Sequence, residues 1–155
     1  MKKILITYGT RPLAQRISKL ICDKFEISFA SSEEVPSFLQ SQYSKIPTAV
    51  NPTFAHELLK LGLDKQIDYI LPLGVFEITN LADSKILFEE YGIIVLSPDK
   101  EFLDEIFILE NPSPSVELQI YNQGISLDSS QELSKPISGL ISLSDDGESF
   151  ALCSI

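Results

Sequence analysis

KILITYGTRPLAQRISKLI, residues 3–21, decides the fold. Its first six residues are apolar and β-rich, which suits a strand buried on both faces. Gly9 and Thr10 break the pattern. Pro12 then stands where a first helical position tolerates it, because the N–H it lacks has no partner there. Leu13, Ile17, Leu20 and Ile21 recur at helical spacing, so residues 11–23 read as an amphipathic helix. A buried strand feeding a helix through a small-residue turn opens a parallel α/β sheet.

The same alternation continues down the chain. Residues 25–30 give a second strand, and Ser31, Ser32, Glu33 and Glu34 form a polar turn with the composition of a helix start. Pro36, Pro47 and Pro52 interrupt the next stretch, where a short third strand is expected around residues 46–50. Thr53 has the place of an N-cap for a helix over 54–66, with Phe54, Leu58 and Leu61 on one face and Gly62 near its end. DYILPL, residues 68–73, reads as a strand with Pro72 at its carboxyl end. Gly74 turns the chain into a helix over 76–91 that carries Ile78, Leu81, Ala82 and Phe88, and Gly92 stops it. Residues 93–96 form a fifth strand, and Ser97-Pro98 open a helix over 98–108. Residues 1–106 are therefore expected to form a parallel sheet covered by helices.

The chain changes character near residue 106. Residues 1–105 carry 11 basic and 15 acidic side chains, whereas residues 106–155 carry 1 and 7. Asn111-Pro112-Ser113-Pro114 signals a linker. Residues 116–121 alternate, Asn122-Gln123-Gly124 turns the chain, and two apolar runs, 137–143 and 150–155, flank Asp145-Asp146-Gly147 as in a hairpin. Residues 107–155 are expected to be an acidic, hairpin-containing, antiparallel β element. No internal repeat is visible.

A chain of 155 residues, 44% hydrophobic and 22% charged, has the composition of one globular domain with a small appendage. Its net charge of −10 argues against a nucleic-acid partner, whose phosphates need clustered Lys and Arg. No apolar run approaches the ~20 residues of a membrane-spanning helix. The start, MKKILITYG, reads as a first strand rather than a signal peptide, so a cytoplasmic location is expected. Cys22 and Cys153 belong to no CxxC or Cys/His cluster, which argues against a zinc site; a disulfide is not expected in that compartment.

In an open parallel sheet ligands bind beyond the carboxyl ends of the strands, where strand order reverses. That rule selects Tyr8, Gly9, Thr10 and Arg11 after the first strand, Ser31 and Ser32 after the second, and Gly74, Phe76 and Glu77 after the fourth. Gly9-Thr10-Arg11 before a helix can offer backbone N–H groups and a guanidinium to an anion. It has neither GxGxxG nor GxxxxGK[ST] spacing, so a plain strand-to-helix turn with a solvated arginine is the competing reading. Glu77 can bind a hydroxyl or a cation, or simply favour the helix dipole. Glu33 and Glu34 read as a solvated pair, and His56, with no nucleophile motif near it, as a surface histidine. GxSxG is absent, and Asp145 and Asp146 suit a turn better than a calcium loop.

Taken together, KILITYGTRPLAQRISKLI and DYILPLGVFEITNLADSKILFEEYGIIVLSPD resemble the preATP-grasp domain that precedes the catalytic module of carbamoyl-phosphate-synthase-like ligases. The matching features are Asp68, Ile70 and Pro72 on a strand, then Glu77, Leu81 and Ala82 on a helix, then residues 92–98. The resemblance covers about residues 1–106 and implies a three-layer Rossmann-like parallel sheet. In such ligases the following segment supplies nucleotide-holding lysines and metal-binding acids. Here residues 106–155 contain a single lysine, Lys135, so the ATP-grasp catalytic module is expected to be absent. The expected function is a non-catalytic accessory or small-ligand-binding domain, a homodimer, working with a separate ATP-grasp protein. No cofactor or metal is expected beyond a nucleotide or another anionic metabolite. The alternatives are a small enzyme of the same ligase group and an assembly module that self-associates through the β tail.

Overall fold

The computed structural model describes residues 1–39, 41–144 and 149–155. It is an α/β structure with a five-stranded all-parallel sheet and a separate five-stranded mixed sheet. The first sheet contains β1 (Lys2–Ile6), β2 (Phe25–Ser31), β3 (Tyr43–Lys45), β4 (Tyr69–Leu71) and β5 (Ile94–Val95), in the order β3-β2-β1-β4-β5. The strand order therefore reverses at β1, whose neighbours are β2 and β4.

Alternation along β1 sends its side chains to two cores. Ile4 and Ile6 join one with Leu13, Ala14, Ile17 and Ile21 of helix α1 (Pro12–Ile21). Leu5 joins the other with Phe54 and Leu58 of α2 (Phe54–Asp64), Leu81 of α3 (Val75–Ala82) and Phe88 of α4 (Lys85–Glu90). All three β1 residues are fully buried, which is why this strand reads as a continuous apolar run.

α1 covers only part of its face. The second sheet covers the rest. It contains β6 (Phe107–Glu110), β7 (Gln119–Asn122), β8 (Ile125–Ser126), β9 (Gly139–Leu143) and β10 (Phe150–Ser154), in the order β6-β10-β9-β7-β8. Ile120, Leu140 and Cys153 point into the α1 core. Their sequence neighbours Tyr121, Ile141 and Leu152 point the other way, into a third cluster with Ile78 of α3. Both faces of this sheet are therefore used. Polar clamps tie it down: Arg16 of α1 donates to the carbonyls of Pro112, Ser113 and Val116, Lys24 donates to the Asp128 carbonyl, and the Ile155 N–H donates to the Leu73 carbonyl at 3.1 Å.

Several expectations are corrected. The C-terminal element is a mixed sheet, not an antiparallel one, because β6 runs parallel to β10. β6 also occupies residues expected to end a helix over 98–108. Only α5 (Lys100–Leu103) is helical there, with Asp99 rather than Ser97 as N-cap. The pull of β10 on residues 107–110 is a long-range pairing that local spacing does not encode. The third strand lies at Tyr43–Lys45 rather than around 46–50, since Phe29, Ala30 and Ser31 pair with those residues. No helix starts at Ser31–Glu34; a short 3-10 turn follows at Ser37–Leu39. The helix expected over 76–91 is broken between α3 and α4. At the break Lys85 turns inward and donates to the Ser97 carbonyl (2.6 Å) and Asp99 Oδ1 (2.9 Å), a pairing that a buried ammonium requires. Thr53 precedes α2 but makes no side-chain cap; its hydroxyl donates to Asn51 Oδ1. β9 and β10 pair antiparallel on either side of the turn expected at Asp145-Asp146-Gly147, which lies outside the described residues. Among the described residues no helix is long and apolar enough to cross a membrane.

Because the two sheets share one core, neither is expected to fold without the other. A chain ending after Ile106 should lose its cooperative urea transition. Leu140→Ala, a change at the fully buried junction, should cost about 2–5 kcal/mol in the full chain. A truncated chain with a sharp native-like transition would contradict the shared core.

Candidate functional site

The chain leaves β1 as Thr7-Tyr8-Gly9-Thr10-Arg11 at the reversal of strand order, where α/β sheets place ligands. Tyr8 adopts a left-handed backbone, φ 51°, which a bulky side chain rarely takes. The turn is pinned on both sides. The Gly9 N–H donates to the Ala30 carbonyl of β2 at 3.0 Å, and the Arg11 N–H to the Tyr8 carbonyl at 2.9 Å. Gly9 is required by close approach, since a Cβ there would lie 2.5 Å from Phe29 Cβ.

Thr7 links β1 to the β4–α3 turn. Its hydroxyl accepts the Leu73 N–H at 2.9 Å and donates to Glu77 Oε1 at 2.5 Å. Glu77, third residue of α3, also reaches back to the Gly74 N–H at 3.4 Å, as helix-start glutamates do. The Glu77 side chain is only 4% exposed. Burial pushes its carboxyl up to about 7, against the opposing pull of the Thr7 hydroxyl and the Gly74 and Leu73 amides. Above it the Tyr8 ring lies against Gly74, where a Cβ would meet Tyr8 Cε2 at 2.5 Å. Burial, then the nearby Glu77 carboxylate, raises the Tyr8 phenol.

Arg11 Nε donates to Glu33 Oε1 at 2.8 Å, and the Thr10 hydroxyl reaches the same oxygen at 3.2 Å. The hydrogen bond from Arg11 holds the Glu33 carboxyl below its ordinary value. Both partners remain wet, 48% and 40% exposed, so the pair is weak and exchangeable. The guanidinium lies 6.0 Å from the centre of the Tyr8 ring. Next to this loop, between the start of α1 and the segment leading to β7, opens a cleft of about 350 Å³. Pro12, Leu13, Pro112, Pro114 and Ile155 give it apolar walls, and Arg11, Arg16 and Asn111 its polar groups. Arg11 makes no side-chain cap, Pro12 has no N–H and the Gln15 N–H donates to the Arg11 carbonyl, which leaves the amides of Leu13 and Ala14 in the first turn of α1.

The structure thus brings Tyr8, Gly9, Thr10, Arg11, Gly74 and Glu77 together at the carboxyl end of the sheet. Ser31 and Ser32 serve the turn itself: the Ser31 hydroxyl accepts the Glu33 N–H, and the Ser32 carbonyl accepts Lys45 Nζ. Phe76 stands in the first turn of α3, 75% exposed. Thr7 and Glu33 belong to the constellation although only the fold reveals it. The one local signal for Thr7 is a hydroxyl closing an otherwise apolar strand. Glu33 is not part of a helix-start pair but the partner of Arg11. His56 is exposed on α2. Cys22 and Cys153 are both free thiols, and burial pushes that of Cys153 up to about 11, so it packs rather than reacts. Among the described residues no cluster of three or more His, Cys, Asp or Glu could hold a metal ion. No family model and no curated protein matches the chain.

Thr7→Val keeps the shape but leaves the buried Leu73 N–H and Glu77 without their hydroxyl. It should cost about 1–3 kcal/mol in urea unfolding, while Thr7→Ser should cost much less. Equal losses in the two variants would exclude the hydrogen bond as the cause. Glu77 also sets a pH dependence. A carboxyl whose folded value lies above its unfolded one binds its proton more tightly in the folded state, so stability falls as pH rises from about 4.5 to about 7 and levels off above. In Glu77→Gln that contribution should vanish, so the variant minus wild-type stability difference should grow across this window. A constant difference would contradict the burial effect.

Proposed function

We propose that this chain is a Rossmann-like ligand-binding module of the preATP-grasp kind. It takes a small anionic metabolite, such as a nucleotide, in the cleft beside Arg11, and serves as a non-catalytic accessory to a separate ATP-grasp protein. The observation that carries the reading is the position of that cleft: it opens next to the β1 loop, at the reversal of strand order. Its volume lies within the range of small-molecule sites, ~300–1,000 Å³, and its mostly apolar walls with a few convergent polar groups have the usual composition. Arg11 is half-exposed and can exchange Glu33 for a ligand anion. The amides of Leu13 and Ala14 at the start of α1 supply a second, charge-free pair of donors. Arg16 supports the cleft wall, since its guanidinium is engaged by three carbonyls.

The second sheet favours a further reading, self-association as a homodimer. β6 is an outer strand, and its Phe107 is 68% exposed next to cavities of about 260 and 250 Å³ lined in part by Phe150. Light scattering of the purified chain tests it: a dimer that Phe107→Lys converts to monomer supports this interface, and a monomeric wild type rejects it.

The ligand reading is tested by thermal shift with ATP, ADP, AMP, inorganic phosphate and citrate, each at millimolar concentration. At least one should raise Tm, by an amount equivalent to about 2.7 kcal/mol when present at a hundred times its Kd. Arg11→Ala should abolish that rise without changing Tm in its absence. No shift from any member of the panel would overturn the proposal.

A further inference from the structure

We propose that the Glu77 carboxyl is a proton-operated latch on the junction of β1 and β4, closed under Tyr8 when protonated and opened by water when ionised. Three geometric facts carry this. The carboxyl is almost wholly buried, yet it lies at the carboxyl end of the sheet rather than in the apolar interior. It holds the junction together, because Thr7 from β1 and Gly74 after β4 both donate to its Oε1. The residue above it, Tyr8, is in a left-handed backbone conformation with its ring against Gly74, an arrangement that stores strain and that the surrounding contacts must sustain.

The groups facing the latch set its direction. Thr7, Leu73 and Gly74 offer neutral donors. Tyr8 is an uncharged phenol whose ionisation the Glu77 charge opposes. Arg11 and Glu33 reach Tyr8, but they are paired with each other. From the second sheet, the Ile155 N–H donates to the Leu73 carbonyl, and buried Tyr121 shares a cluster with Ile78, the residue after Glu77. These neutral donors compensate the carboxylate only in part, so ionisation draws water to it. Water reaches Oε1 by displacing the Tyr8 ring from Gly74, and the strained backbone at Tyr8 favours that release.

Linkage gives the size. With the closed carboxyl titrating at about 7 and the hydrated one near an ordinary carboxylate, the opening equilibrium rises by about tenfold per pH unit between about 5 and 7 and levels off above. The latch needs no ligand, so it succeeds or fails independently of the binding proposed above.

The experiment is hydrogen–deuterium exchange of the full chain between pH 5 and 8, corrected for intrinsic exchange rates, on wild type, Glu77→Gln and Gly74→Ala. In wild type, opening at residues 73–78 should follow that tenfold rise at an opening free energy well below that of global unfolding, which the most protected β2 amides report. Glu77→Gln should remove the slope. Gly74→Ala, whose methyl displaces the Tyr8 ring, should exchange faster already at pH 5 and show a smaller slope. A flat profile at 73–78 in wild type overturns the latch. So does a slope that survives in Glu77→Gln, or an opening free energy at 73–78 equal to that of β2 at every pH, which would make Glu77 a determinant of global stability alone.

Discussion

A parallel sheet whose central strand is buried on both sides must find apolar cover for two faces. One side of β1 is met by α2, α3 and α4, and the other by α1 together with the second sheet. The rest of the structure depends on that second contact. Without Leu118, Ile120, Leu140 and Cys153, the face bearing Ile4 and Ile6 would be open to water beside a single ten-residue helix. The acidic C-terminal third is therefore a structural layer. Its Glu110, Glu117, Glu132 and Lys135 are exposed, while its alternating apolar residues serve two cores at once.

This arrangement also builds the cleft. Arg16, on the exposed flank of α1, gathers the carbonyls of residues 112, 113 and 116 and so fixes the segment 111–114 as the wall opposite Arg11. The Ile155 N–H on the Leu73 carbonyl brings the residue after β10 to the end of β4. The linker signal at Asn111-Pro112-Ser113-Pro114 thus marks a fastened wall. Its prolines supply apolar surface, and the carbonyls of Pro112 and Ser113 accept from Arg16.

At the reversal of strand order two different chemistries meet. On the outer side Arg11, Glu33 and Thr10 form a wet, exchangeable group. On the inner side Thr7, Gly74 and Glu77 form a dry one beside the Tyr8 ring. Tyr8 adjoins both, with its ring 6.0 Å from the Arg11 guanidinium and against Gly74. The proton affinity of Glu77 comes from burial rather than from a neighbouring charge, so it depends on how tightly this edge stays closed.

Residues 3–21 by themselves determined the parallel α/β character, because a strand buried on both faces, a glycine turn and a proline-started helix are local patterns with local causes. The second, fourth and fifth strands were legible for the same reason, as was the gathering of the candidate residues at the carboxyl end of the sheet, which follows from where such strands end. The mixed second sheet was not legible, since β6 and β10 pair across some forty intervening residues and nothing local in Phe107–Glu110 distinguishes strand from helix. Nor were the Thr7–Glu77 bond, 70 residues apart, or the Arg11–Glu33 pair, 22 apart. A hydroxyl or carboxylate takes its role from the partner that folding brings to it, and that partner is chosen by the packing of sheets and helices, not by the spacing of the chain.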